Sequence, residues 1–158
     1  MPLTGLQLST PTDTTLILSR TFKAPRRLVW EAWTNPEHPP HWMLGPEGWT
    51  MPVCEIDLRP GGTWHFVWKQ SDGTEMSMHG VYREVTPPER LVATESWGGD
   101  WPETLNTLTL SEENGKTTLT NRILYPSREA RDAALKTGMQ EGANVSFDRL
   151  AAHLRTMA

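Results

Sequence analysis

The spacing of apolar side chains changes period several times along this chain. Thr15 to Phe22 (TLILSRTF) is rich in β-branched and apolar residues and reads as a first strand. Ala24-Pro25 stops it, and Pro25 suits a helix start, where its missing N–H would be unpaired anyway. Leu28, Val29, Ala32 and Trp33 recur at the spacing of one helical face, which predicts a helix from Pro25 to Trp33. Asn35-Pro36-Glu37 is a second start, an Asn cap followed by proline and an acid, for a short helix ending by Trp42, before a Gly45-Pro46 turn. Strand signals then run without interruption: Met51 to Leu58, Thr63 to Lys69, Glu75 to Val85, Arg90 to Trp97, Thr104 to Ser111 and Lys116 to Leu124. Gly61-Gly62, Asp72-Gly73, Pro87-Pro88, Gly98-Gly99-Asp100 and Asn114-Gly115 punctuate them. Ser127 caps a final helical stretch, on which Met139, Ala143, Phe147, Leu150 and Leu154 form one apolar stripe expected to pack on the sheet. Gly138 and Gly142 weaken its middle and favour a bend.

Strands in an unbroken run imply an antiparallel sheet, and the terminal helix is the element long enough to cover it. Side-chain alternation puts Trp64, Phe66 and Trp68 on one face, and Met76, Met78, Gly80 and Tyr82 on one face of the next strand. Pairing Lys69 with Glu75 across a five-residue loop sets Trp68 opposite Met76, Phe66 opposite Met78 and Trp64 opposite Gly80. A four-residue loop would instead turn the indoles toward Ser77 and His79, so the apolar pattern selects the first register. The same rule gathers Leu91, Ala93, Glu95 and Trp97 on one face, and Thr117, Leu119, Asn121 and Ile123 on one face. Glu95 and Asn121 are the polar residues there. They fit structural hydrogen bonds at an edge, or the polar anchors of a cavity with apolar walls. The aromatic face itself fits either a packed core or a hollow beneath the terminal helix.

The chain has 158 residues, enough for one domain with a sizeable core and short for two. Residues 1–13 read as a flexible lead-in and residues 14–158 as a single domain. With 15 basic and 19 acidic residues the net charge is −4, which provides no electrostatic footprint for nucleic acid. No run of about 18 apolar residues predicts a membrane span, and the N-terminus lacks the pattern of a signal peptide. Cys54 is the single cysteine, and a lone thiol suits a reducing cytoplasm. The aromatic content is skewed: 8 Trp against 3 Phe and 2 Tyr, more indole than bulk packing requires.

Candidate chemistry is sparse. Phosphate-cradling glycine loops and the Gly-x-Ser-x-Gly elbow are missing. His38 and His41 are separated by two prolines, which argues against helical convergence; His65 and His79 face each other across the predicted hairpin on its outer face. Two imidazoles fall short of a stable metal site, so neither metal nor cofactor is expected. Cys54 has no neighbouring base in sequence and reads as a small buried hydrophobe. For acid–base work Glu95 is the candidate, since an apolar cavity disfavours its charged form, with Tyr82 and Asn121 to orient a substrate beside it.

Several segments together resemble a known family. Arg20-Thr-Phe-Lys-Ala-Pro-Arg-Arg-Leu-Val-Trp-Glu-Ala-Trp-Thr-Asn-Pro-Glu resembles the opening of the activator-of-heat-shock-protein-ATPase homologue-like family, part of the START-related, birch-pollen-allergen-like superfamily. Asp57-Leu-Arg-Pro-Gly-Gly-Thr-Trp, Gly80-Val-Tyr-Arg-Glu-Val and Pro87-Pro-Glu-Arg-Leu-Val resemble its central strands. Gly115-Lys-Thr-Thr-Leu-Thr, Gly138-Met-Gln-Glu-Gly and Ser146-Phe-Asp-Arg-Leu resemble its close. The resemblance implies an α+β helix-grip fold: a curved antiparallel sheet of six to seven strands around a long C-terminal helix, with two short helices after the first strand. It also implies a cavity between sheet and helix, and so favours the hollow. The expected function is binding of a small hydrophobic or amphipathic, lipid-like molecule by Trp64, Phe66, Trp68, Met78, Tyr82, Glu95, Trp97, Asn121 and Met139. The alternatives are an enzyme of cyclase or hydrolase type using the same cavity, and an interaction module with a chaperone partner.

Overall fold

In a computed structural model, residues 5–45, 47–98 and 101–157 are described; Pro46 and Gly99-Asp100, read above as part of a turn and a strand break, lie outside them. Eight strands form one antiparallel sheet: β1 (Gln7–Ser9), β2 (Thr15–Phe22), β3 (Trp49–Ile56), β4 (Thr63–Gln70), β5 (Glu75–Thr86), β6 (Arg90–Glu95), β7 (Thr104–Glu113) and β8 (Lys116–Leu124). Their spatial order is β1-β2-β8-β7-β6-β5-β4-β3, so the late strand β8 closes back on β2 while the rest follow as hairpins. Helices α1 (Arg26–Thr34) and α2 (Pro39–Trp42) fill the β2–β3 connection, and α3 (Arg128–Leu135) and α4 (Met139–Met157) end the fold. No helix among the described residues is long and apolar enough to cross a membrane.

The β4–β5 register is the one selected by the apolar pattern: Trp68 faces Met76, Phe66 faces Met78, Trp64 faces Gly80 and Lys69 faces Glu75. Four expectations need correction. The lead-in contains a strand, because Gln7–Ser9 pairs with Ile17–Ser19 and raises the strand count to eight. β3 begins at Trp49, two residues early, and its pairing with β4 slips around Pro52, which lacks the N–H a regular ladder needs. The second short helix starts at Pro39; Asn35 instead closes a turn, its Oδ1 accepting from the Glu37 N–H at 3.1 Å. The final helix is two helices. Ser127 caps α3 by accepting from the Ala130 N–H, but Gly138 adopts φ +80°, the left-handed conformation that ends one helix and redirects the chain into the next.

The stripe on α4 divides in two. Phe147, Leu150 and Leu154 are buried in the main core with Phe22, Leu28, Val29, Trp42 and Leu119. Met139 and Ala143 are half-buried and pack near Leu16, Leu18, Ile123 and Tyr125. The C-terminal half of α4 is therefore clamped by α1 and α2, while its N-terminal half stands over the sheet as one wall of a cavity.

Candidate functional site

Along β4, alternation turns Trp64, Phe66 and Trp68 inward, and all three are buried. Gly80 lies across from Trp64 because nothing larger fits: a Cβ there would sit 1.8 Å from the Thr94 carbonyl oxygen and 2.6 Å from Trp64 Nε1. The inward row continues through Tyr82, Ala93, Asn106 and Ile123, each paired with the next across β5, β6, β7 and β8. Leu108 and Asn121 form the next row. The opposite wall is Met139, Ala143 and Phe147 of α4, and α1 and α2 add Trp33 and Trp42. These walls enclose about 950 Å³.

All nine residues singled out in the sequence line this one cavity. So does every tryptophan but Trp30, which accounts for the skewed aromatic content. The indoles are held in place. Trp68 Nε1 donates to the Met43 carbonyl at 2.7 Å, Trp42 Nε1 donates to the Ala32 carbonyl at 2.9 Å, and Trp97 stacks on Trp68 at 5.6 Å and 13°. Met76, Trp97 and Trp101 are exposed, forming an apolar rim.

The polar groups differ in part from expectation. Glu95 is engaged by Trp97 and by Asn106, a residue outside the expected set, while Tyr82 and Asn121 line the same cavity. Trp97 Nε1 donates to Oε1 at 2.7 Å, and Asn106 Nδ2 donates to Oε2. Thr104 Oγ1 in turn donates to Asn106 Oδ1 at 3.0 Å, which presents the amide nitrogen to the carboxylate. Burial pushes the Glu95 carboxyl above its ordinary range, while the two donors pull it back. Burial also raises the Tyr82 hydroxyl, and raises that of Tyr125 to about 12 with help from Glu95. Tyr125 reaches Met139 Sδ at 3.9 Å. Asn106 and Tyr125 were missed in the sequence; Thr104, Asn106, Leu108 and Leu110 share a face by alternation, which was signal enough to find Asn106.

The histidines also depart from expectation. His38 and His41 do converge, on His153 of α4: His38 Nδ1 and His153 Nε2 are 2.8 Å apart, and His41 stacks on His153 at 5.3 Å. Two prolines shape α2 but leave its ends free to aim both rings at one neighbour. His65 faces His79 across β4–β5 and approaches Glu55 at 3.4 Å. Among the described residues no group of three or more His, Cys, Asp or Glu is arranged to hold a metal ion. Cys54 is half-buried, and burial pushes its thiol up to about 11.

Residues 23–155 match the family described as Activator of Hsp90 ATPase homolog 1-like protein. The chain belongs to this family. Solved structures agree with the assignment. A Rhodobacter sphaeroides protein is 30% identical over 96% of this chain and 99% of its own, with a TM-score of 0.92. Proteins of Nitrosomonas europaea and Mycobacterium smegmatis are each 26% identical over 94% of this chain, covering 98% and 95% of their own, with TM-scores of 0.83. Among curated proteins, none matches the chain. The helix-grip architecture expected from the motifs is thus the family's, here with eight strands.

Proposed function

We propose that this family member binds a small hydrophobic or amphipathic, lipid-like molecule in the cavity between sheet and C-terminal helix. One observation carries the reading: about 950 Å³ of space lined by seven of the eight tryptophans, in a chain too small to leave such volume idle. Trp64, Phe66, Trp68, Met78, Trp97 and Met139 would grip the apolar body of the guest. Tyr82, Glu95 and Asn121 would meet its polar end. A wholly apolar guest would leave Tyr82 and Asn121 without a partner from the guest, at about 1–3 kcal/mol for each polar group left unpaired. The binding unit would include β1 with the rest of the sheet, acting without cofactor or metal, and the lone thiol favours a reducing cytoplasm.

Glu95 supports a second reading. A buried carboxyl pushed up in pKa is suited to proton transfer, as in a cyclase or hydrolase acting on the same guest. A chaperone partner has the family description in its favour. The test is a fluorescence titration with flavonoids, sterols, fatty acids and polyketide-like aromatics. Amphipathic members should perturb indole emission and bind more weakly to Trp64→Ala and Asn121→Leu. Guest recovered chemically unchanged supports binding, and conversion that is lost in Glu95→Gln supports the enzyme. If no compound changes emission or melting, the binding reading fails.

A further inference from the structure

The charges lining the cavity are one-sided. Among the described residues its lining includes two carboxylates, Glu75 and Glu95, and no Lys, Arg or His. Glu75 is exposed, whereas Glu95 lies inside, half-buried on the same inward face as Ala93. A carboxylate away from water ordinarily has a cationic partner. Glu95 has none among the groups that bond it: Trp97 and Asn106 are neutral N–H donors. Their arrangement nevertheless suits the ionised form. Each oxygen accepts one N–H, and the Thr104 hydroxyl orients the Asn106 amide so that its nitrogen points at the carboxylate. Each carboxylate oxygen keeps a second lone-pair direction free. Trp97, whose N–H reaches the carboxylate, is stacked on Trp68 at 5.6 Å, and the open face of an indole attracts cations electrostatically.

Building on the binding reading above, we infer that the cavity selects a cationic guest: a flat or branched apolar body carrying one ammonium group, which pairs with Glu95 beside the Trp68–Trp97 stack. The guest supplies the counter-charge that the protein omits. Neutral guests of the same shape fill the apolar volume but leave Glu95 without a counter-ion. Anionic guests, fatty acids included, are repelled by it. Specificity is thereby set by an unfavourable charge as much as by a favourable one.

The test compares three probes with one body: pyrenemethylamine, pyrenemethanol and pyrenecarboxylate, titrated against the full chain at neutral pH with energy transfer from tryptophan to pyrene as the readout. The amine should bind about tenfold more tightly than the alcohol, with the carboxylate weakest. In Glu95→Gln the amine should fall to within about threefold of the alcohol. That variant is close to isosteric, and an Asn106 amide flip, which the Thr104 hydroxyl can follow, keeps its hydrogen bonds. Glu75→Gln should retain the preference; if it alone abolishes the preference, the assignment to Glu95 is wrong. The ranking in the unmodified protein stands independently of whether any variant folds. Equal affinities, or preference for the carboxylate, overturn this inference while leaving the binding reading intact. Failure of all three probes to bind overturns the binding reading, and this inference with it.

Discussion

Replacing Phe147 by alanine tests how α4 is held over the sheet. The ring is 4% exposed and touches three aromatic partners: Phe22 edge-on at 6.0 Å, and Trp33 and Trp42 each at 6.3 Å. Deleting a fully buried phenylalanine ring costs about 3–5 kcal/mol. Here one side of the ring already borders the cavity, so part of its surface has no packing partners to lose. The loss should therefore fall at the lower end, about 3 kcal/mol. For a chain of this size that corresponds to a melting temperature lower by about 6–12 °C. Urea unfolding at neutral pH provides the free energy directly, with Asn144→Ala on the exposed side of α4 as a control expected within about 0.5 kcal/mol of the parent. A Phe147→Ala loss below about 1 kcal/mol would mean that this part of α4 is not packed as described.

Three further outcomes follow from particular contacts. Gly80→Ala should destabilise the β5–β6 pairing, because its Cβ would lie 1.8 Å from the Thr94 backbone oxygen; unchanged melting would refute that close approach. Cys54, with its thiol near 11, should react slowly with iodoacetamide at pH 8 in the folded protein and readily in urea; equal rates would show that burial does not protect it. Glu95 is raised by burial above its ordinary value of 4.5, so between those two values the folded state holds more protons than the unfolded state. Its contribution to stability is therefore present below about pH 4.5 and is lost as pH rises through the folded value. Glu95→Gln should flatten that part of the urea-unfolding profile, and an unchanged slope would place the titration elsewhere.

Features set by neighbours in the chain were the ones legible in the sequence. The β4–β5 register follows from a five-residue loop and two alternating apolar sets, and the capping of α3 by Ser127 from a side chain three residues away. The inward position of Trp64, Phe66, Trp68, Met78, Tyr82, Glu95 and Asn121 follows from alternation continued across paired strands. Features set by distant segments were not legible. Trp33 reads as a helix-face residue and Trp42 as the end of a short helix; both become cavity walls because α1 and α2 dock on α4. His153 showed nothing until α4 brought it to His38. The division of the last helix turned on a single left-handed residue, Gly138, and glycine in a sequence marks tolerance of that conformation rather than its use. Asn106 was in principle readable, but its value lay in a partner, Glu95, that one strand pairing had to supply.

The most direct test of the cavity as a binding site uses the tryptophans as their own reporters. Seven line the cavity and Trp30 does not. In nitrogen-labelled protein, each indole N–H has its own NMR resonance, assignable by single Trp→Phe replacements. Addition of a saturating amphipathic aromatic such as pyrenemethanol should shift the Trp64, Trp68 and Trp97 resonances and leave Trp30 in place. Shifts confined to exposed Trp101, or no indole shift at all, would contradict an internal binding site.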